Sequence, residues 1–422
     1  MSVALISAVD PYPTDAGKKI VLAGFLDYFA DRYGPDNVHY IKIGSTPPKE
    51  DFPVHLHMVP GPSGAAVIGS IATKVTTGRV SLEEAFLGSR RTGMAIRRVI
   101  DEISPQLQVY DTVRMAQHAP THVAAQQICY LDDLFSERYG RMLAAAQQYP
   151  DVNSSPLGNF ADHVPRRLRP LATNKTSQTA LLRAERVLVR RSEDRTARRF
   201  RRCLLVNDEE AEILTLRAGV PPGRVQSVPP LLTAPASLER QYPGAPEFVF
   251  LGDLSLAHND DGLRWFLRAV WPIVLTRQPD AHIRVIGRQA GSEVLALADE
   301  FPDSVSVDGY VPSLAEALGA AAALVNPLRF GSGVKLKVIE SLSRSLPVVS
   351  TPVGAEGIAS GSGCGILVGS EPDEIADLLC SLTDPVLNAE VSTEAKAYFE
   401  ATYSRKAVFD AYDAAFTLPA AQ

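Results

Sequence analysis

The chain has little cysteine. Cys129, Cys203, Cys364 and Cys380 are the four in 422 residues, far apart and without metal-ligand spacing. That argues against a disulfide-stapled secreted scaffold and a cysteine metal site, and reads as a reducing compartment. Long apolar runs are also missing. No window of about 18 uninterrupted apolar residues occurs, so nothing reads as a membrane span. The opening MSVALISAVDPYP is apolar but has no basic flank, so it reads as a first strand and not as a signal peptide. Excess positive charge is absent too. Lys and Arg number 42 against 48 Asp and Glu, a formal net charge of −6, which argues against a general nucleic-acid binder.

What is present is globular: 45% apolar and 21% charged residues. The length exceeds one ordinary core, so two domains are expected. Residues 2–9 read as a buried parallel strand, followed by the loop DPYPTDAGKK, a helix over about 18–33 and a strand over 38–43. This is the opening of a doubly wound α/β domain. Gly17 sits at the strand-to-helix turn, with Lys18 and Lys19 just inside the helix. Residues 61–95 suggest two helices with a glycine break. LQVYDTV, QQICYLDDL and CLLVND read as later strands. The loop VRMAQHAP carries His118. Asp132 and Asp133 end an apolar run and either bind hydroxyls or cap the next helix. A helix over about 176–202 carries many of the arginines between Arg166 and Arg202, read as a solvated face or a docking surface for an anionic acceptor or leaflet. Residues 151–172 read as a long loop. Pro229, Pro230, Pro235, Pro243 and Pro246 mark a linker over 226–247.

The most informative stretch is FGSGVKLKVIESLSRSLPVVSTPVGAEG, residues 330–357. It reads as a glycine loop, a helix beginning near Gly333 or Val334, a strand and a second glycine loop. Val334, Val338, Ile339 and Leu342 recur at helical spacing. Lys335 and Lys337 fall in the first turn, where the macrodipole repels cations unless an anion is bound. Gly331 and Gly333 let the backbone approach closely and leave amide N–H groups free for a phosphate. Glu340 is an acceptor for sugar or ribose hydroxyls. The competing reading is an exposed Lys337–Glu340 pair on the helix face.

The segment from Phe248 to Phe416 resembles the nucleotide-sugar half of the GT-B glycosyltransferases, and is most similar to the retaining family 4 (glycosyl transferases group 1). The resemblance rests on the run just described and on three earlier segments: FVFLGDLSLAHNDDGLRWFL, AHIRVIG and SVSVDGYVPSLAEALGAAAALVNPL. It implies two Rossmann-like doubly wound domains facing a cleft. Residues 1–225 would form the acceptor-side domain and 226–247 the linker. Residues 248–404 would form the donor domain, and 405–422 a helix and tail crossing back to the first.

The resemblance also implies donor contacts at Gly17, Gly252, Asp253, Gly287, Tyr310, Val311 and the 331–334 loop. Lys335, Lys337, Glu340 and His118 would be the catalytic set. The implied reaction is transfer from a UDP-, GDP- or dTDP-sugar to a hydroxyl or amine, with retention and without a metal ion or other cofactor. The enzyme would be cytoplasmic, at the inner face of the membrane if peripherally associated, and would bind no nucleic acid. A sugar-nucleotide epimerase on the same fold and a non-catalytic partner of a transferase complex are the alternatives. The chain departs from the family pattern at two places. Ser332 stands where many members carry the first of two glutamates, and the arginine and lysine usual after the first strand of the donor domain are absent from Gly252–Asn259.

Overall fold

The computed structural model describes residues 1–14, 16–44, 46–47, 52–121, 123–148, 175–232, 240, 242–311, 313–358 and 363–417. They divide into two units. The described residues of Met1–Leu143, Ser155–Leu231 and Val408–Gln422 make the first, and those of Ala144–Ser154 and Leu232–Ala407 the second. The expected loop at 151–172, residues 233–239 and 241 of the expected linker, and the tail beyond 417 lie outside the described residues.

The first unit holds strands β1 (Val3–Ser7), β2 (Val38–Ile43), β3 (His55–Val59), β4 (Leu107–Asp111), β5 (Gln126–Asp132), β6 (Arg202–Leu205) and β7 (Val225–Ser227). They form one sheet in the order β3-β2-β1-β4-β5-β6-β7, and every pairing is parallel. The second unit holds β8 (Glu247–Leu251), β9 (His282–Ile286), β10 (Val305–Gly309), β11 (Ala323–Asn326), β12 (Val348–Ser350) and β13 (Ile366–Val368). Their order is β10-β9-β8-β11-β12-β13, again all parallel. The central strands VALIS and ALVN are buried at every position, as strands covered by helices on both faces must be. Each sheet starts in its middle, winds outward one way and then continues on the other side. The reversal falls between β1 and β4 and between β8 and β11. Outside the carboxyl ends of strands at such a switch point is where open α/β sheets bind ligands.

Several local expectations need correction. Strand β3 was not anticipated, and the loop after β4 contains a helix, Thr112–Ala116. The 61–95 region holds the helix Gly64–Ser70, which runs on through a π-turn to Val75, then Leu82–Leu87 and the start of Arg90–Ile103. The loop after β12 opens with a short helix, Pro352–Ala355, whose Gly354 N–H donates to the Thr351 hydroxyl. From the closing helix Arg405–Phe416, Phe409, Tyr412 and Phe416 pack edge-on or stacked against Phe25, Tyr28 and Phe29 of the helix Gly17–Tyr33. The Tyr28 hydroxyl donates to Asp413 at 2.7 Å, beside the Arg32–Asp413 ion pair.

Candidate active site

Two loops flank the switch point of the second sheet: 252–256 after β8, and 327–335 after β11. The first runs against the end of β9 so closely that a Cβ on Gly287 would lie 1.8 Å from the Gly252 carbonyl oxygen; no side chain fits there. Asp253 closes this loop on itself by accepting the Ser255 N–H at 2.9 Å. The two loops are then tied together by side chains. The Asn259 amide donates to the Asp253 carbonyl at 2.9 Å, and Lys337 Nζ donates to Asn259 Oδ1 at 2.9 Å. Arg329, from the second loop, makes two hydrogen bonds to Asp261 at 2.5 and 2.9 Å.

The glycine loop differs from the expected form in an informative way. The helix begins at Leu336, and Lys335 is its N-cap. Gly333 has φ +71° and Gly331 φ +144°, left-handed values that no helix continues through. Lys335 is buried, and its ammonium accepts nothing but donates to the carbonyls of Ser332 and Gly333. In a trans peptide the N–H points opposite to its C=O. The N–H groups of Gly333 and Val334 therefore face away from Lys335, and neither has an acceptor among the described residues. Two outward N–H groups in succession, braced from behind by an ammonium, are an arrangement with the chemistry to accept an anion.

Lys337 lies beyond this loop in the helix Leu336–Ser343. Its ammonium sits 4.8 Å from the centroid of the Phe250 ring. Burial, with the Lys335 charge second, pulls its pKa down to about 7. The expected alternative, a Lys337–Glu340 pair, does not form. Glu340 Oε1 instead accepts both Arg344 Nε at 3.0 Å and Arg344 NH2 at 2.7 Å. Of the other expected donor contacts, Tyr310 stands exposed just past β10, followed by the partly buried Val311.

In the first unit the expected residues fall elsewhere. Gly17 opens the helix Gly17–Tyr33 and is exposed. Lys18 is not poised for phosphate: its ammonium lies 2.7 Å from Asp111 and 3.7 Å from Asp132, at the ends of β4 and β5. Asp111 also accepts the Ser7 hydroxyl at 2.6 Å, and Asp132 the Tyr130 hydroxyl at 2.6 Å. Thr112 and Asp132 both hold left-handed backbone, φ +63° and +73°, a strained state for a β-branched residue in particular. Asp133 pairs with Arg138. His118 lies past the helix Thr112–Ala116, with Nε2 2.9 Å from the Leu87 carbonyl. Nε2 must therefore carry the proton and donate, leaving the Nδ1 lone pair open. Burial lowers its pKa, so the ring is neutral at pH 7.

Sequence reading missed Asn259, Phe250, Arg329 with Asp261, Arg344, and Arg288, whose guanidinium lies 3.6 Å from Asp253 in the loop that lacks the usual cations. Only Arg344 carried a local signal, its i+4 spacing from Glu340. The arginines of the helix Lys175–Arg199 are mostly exposed, as on a solvated face, and two of them also reach partners in the fold. Arg195 pairs with Glu84, and Arg199 donates to the carbonyls of Ala116 and Ala119.

Residues 245–384, which carry this site, match the family model described as Glycosyl transferases group 1. An uncharacterized 44.6 kDa protein in the cps region of Klebsiella pneumoniae is 27% identical over 168 residues, 38% of this chain and 43% of that protein. The chain thus spans less than half the length of that relative. The solved structure of TarM from S. aureus superposes with a TM-score of 0.63 at 10% identity, over 99% of both chains. HepE from Anabaena in complex with UDP-glucose superposes with a TM-score of 0.56 at 10% identity, over 97% of each. The two parallel sheets and the matched segment define a two-domain α/β protein of the GT-B type. It is similar to the family 4 glycosyltransferases.

Proposed function

We propose that the chain is a glycosyltransferase that moves a sugar from a nucleotide diphosphate sugar to an acceptor hydroxyl or amine, with retention and without a metal ion. The observation that carries this reading is the pair of outward N–H groups at Gly333 and Val334 beside Lys337, inside the segment that matches the family model. An anion there would be a leaving diphosphate. Donors already aimed where charge develops are the largest kind of catalytic contribution available to such a site. Lys335 organises the loop, and Lys337 and the two amides carry the developing charge. Glu340 accepts from the ribose. His118 contributes its neutral ring on the donor-sugar side. Retention follows a front-face route, in which the departing phosphate oxygen takes the acceptor proton as the new bond forms. A uridine donor is favoured because the HepE structure contains UDP-glucose.

Peripheral membrane association belongs to the same proposal. No helix among the described residues is long and apolar enough to cross a membrane. The helix Arg90–Ile103, however, exposes Arg90, Arg91, Met94, Arg97 and Arg98 together on its outer side, a surface suited to anionic headgroups. A cytoplasmic location is proposed on the four cysteines, none of which forms a disulfide. The first experiment is a thermal-stability screen with UDP, GDP, dTDP and ADP, since a ligand that binds only the native state raises the midpoint. No shift with any of the four, at millimolar concentration, would remove the nucleotide-sugar reading.

A further inference from the structure

Glu340 and Arg344 are one helical turn apart, and on an exposed helix such a pair contributes little and wanders. Here neither is exposed. The side chains retain 18% and 11% of their accessibility, so both gave up most of their hydration to meet. A largely buried ion pair commonly adds no stability over apolar residues of the same size, so stability alone does not account for it. Its geometry is specific. Nε and NH2 of the guanidinium both grip Oε1, at 3.0 and 2.7 Å, instead of spreading over the two carboxylate oxygens. Oε2 has no hydrogen-bond partner among the described residues, and it is not among the buried polar atoms that lack one.

The Arg344 backbone is fixed. Arg344 ends the helix Leu336–Ser343, its N–H bonded to the carbonyls of the last turn, so its side chain springs from the same element that carries Glu340. The neighbouring hydroxyls are spent on the backbone: Ser341 donates to the Lys337 carbonyl and Ser343 to the Glu340 carbonyl. They do not compete for the carboxylate. A fork on one oxygen fixes the rotation of the carboxylate plane, and it leaves one oxygen with both lone pairs available.

We propose that Arg344 is a positioning residue: its one-sided grip on Glu340 Oε1 orients Oε2 to accept the ribose hydroxyls of the nucleotide donor. The inference rests on the reading of Glu340 as the ribose contact. It adds that selectivity for a ribose diol depends on a residue that need not touch the nucleotide.

The readout is the ratio of dissociation constants for 2′,3′-dideoxy-UDP and UDP, measured by calorimetry on the full chain. A site built to bond a hydroxyl rejects the analogue that lacks it, so the wild-type ratio should be about tenfold or more. Arg344→Met should bring the ratio below about threefold, with UDP itself bound several-fold more weakly. Arg344→Lys, which keeps the charge but not the fork, should fall between. Glu340→Ala should bring the ratio to about one. A reversibly unfolded fraction scales both constants alike and cancels in their ratio, and the melting midpoint is recorded beside each ratio.

If Arg344→Met lowers the midpoint but keeps the wild-type ratio while Glu340→Ala abolishes it, Arg344 is structural and the inference is overturned, with Glu340 still the ribose contact. A wild-type ratio near one, or a Glu340→Ala ratio equal to wild type, removes Glu340 from the ribose and the inference with it.

Discussion

The two sheets share one topology and reverse at the same place, yet their switch points carry opposite chemistry. In the first unit the carboxyl ends of β1, β4 and β5 gather Ser7, Asp111 and Asp132 around Lys18, with Arg114 and Arg138 also in electrostatic reach of Asp111 and Asp132. The Lys18 ammonium is shared between the two carboxylates and also lies 5.9 Å from the Tyr130 ring centroid. In the second unit the matching position holds two outward N–H groups with Lys335 and Lys337 behind and beside them. A lysine at the head of a helix is thus not one signal but two. Lys18 is answered by its own protein, whereas the Gly333 and Val334 amides are not. The topology places the loops; which ligand charge they accept is decided by whether the neighbouring strand ends supply carboxylates or backbone N–H groups. The first switch point suits a partner that donates hydrogen bonds, a hydroxyl or an amine, and the second suits an anion.

The strongest way to break this contrast is Lys337→Ala. If Lys337 faces developing diphosphate charge, its loss should cost about 2–4 kcal/mol of transition-state stabilisation, by comparison with removed oxyanion donors. That corresponds to roughly 30- to 1,000-fold in turnover. The mutant should stay folded, because Lys337 is a half-buried cation with one amide partner and its removal relieves a burial cost. Turnover within threefold of wild type would reduce Lys337 to a clasp between two loops.

The same residue gives the pH dependence its sign. Its pKa is about 7 in the nucleotide-free protein, against 10.5 ordinarily. Below pH 7 folded and unfolded chains both hold the proton, and the cost of burying the ammonium is fully present. Between pH 7 and 10.5 only the unfolded chain holds it, so this group's contribution to stability improves as pH rises through that window. Binding runs the other way. A diphosphate favours the ammonium, so UDP-glucose should bind with proton uptake and lose affinity above pH 7, by at most about tenfold per pH unit. Calorimetry in buffers of different ionisation heat, from pH 6 to 9, measures both. A flat affinity profile in the wild type would place the diphosphate away from Lys337.

How much of this was legible in the sequence differs between the two regions for a physical reason. The alternation of buried strands and helices could be read along much of the chain, because period and burial are local. The glycine loop ahead of a helix was legible, but the helix was placed two or three residues too early. A left-handed Gly333 and a lysine folded back on two carbonyls are conformations, not patterns. Asn259 and Phe250 escaped because they lie 78 and 87 positions from the lysine they hold. The partners of Lys18 were out of reach for the same reason, since Asp111 and Asp132 arrive from strands about a hundred residues later. Strand β3 was missed because HLHMV buries only its last residue, so it lacked an apolar face.

A smaller effect sharpens the comparison from the other side. Lys18→Met should leave nucleotide binding within about twofold of wild type, because the second unit alone carries the anion site. Its cost should appear in stability. Asp111 is almost fully buried and would lose its ammonium, keeping the Ser7 hydroxyl as a hydrogen-bond donor and the more distant Arg114 charge. Removing one partner from such a pair exposes the desolvation cost of the other, here about 1–3 kcal/mol because Lys18 itself is partly solvated. Denaturant unfolding measures this. A large drop in UDP affinity with unchanged stability would mean that Lys18 serves the phosphates after all.

The smallest expected effect is none. A retaining transferase could use a divalent ion to carry the diphosphate charge, and adjacent aspartates are the obvious places to hold one. Asp132 and Asp133 are one such pair, and Asp260 and Asp261 the other. In each the carboxylates are already committed to cations: Asp132 faces Lys18, Asp133 pairs with Arg138, Asp260 with Arg264, and Asp261 with Arg329. A metal ion would have to displace an arginine or lysine before it gained a ligand, and the freed guanidinium would then stand against it. In the proposed site amides and a lysine would meet the phosphate charge, and these need no metal. Turnover in excess EDTA should therefore equal turnover without it, once the purified protein is shown to carry no tightly held ion. Activity lost in chelator and restored by magnesium or manganese would refute the lysine-and-amide account, and the second switch point would then need a ligand set other than the one described.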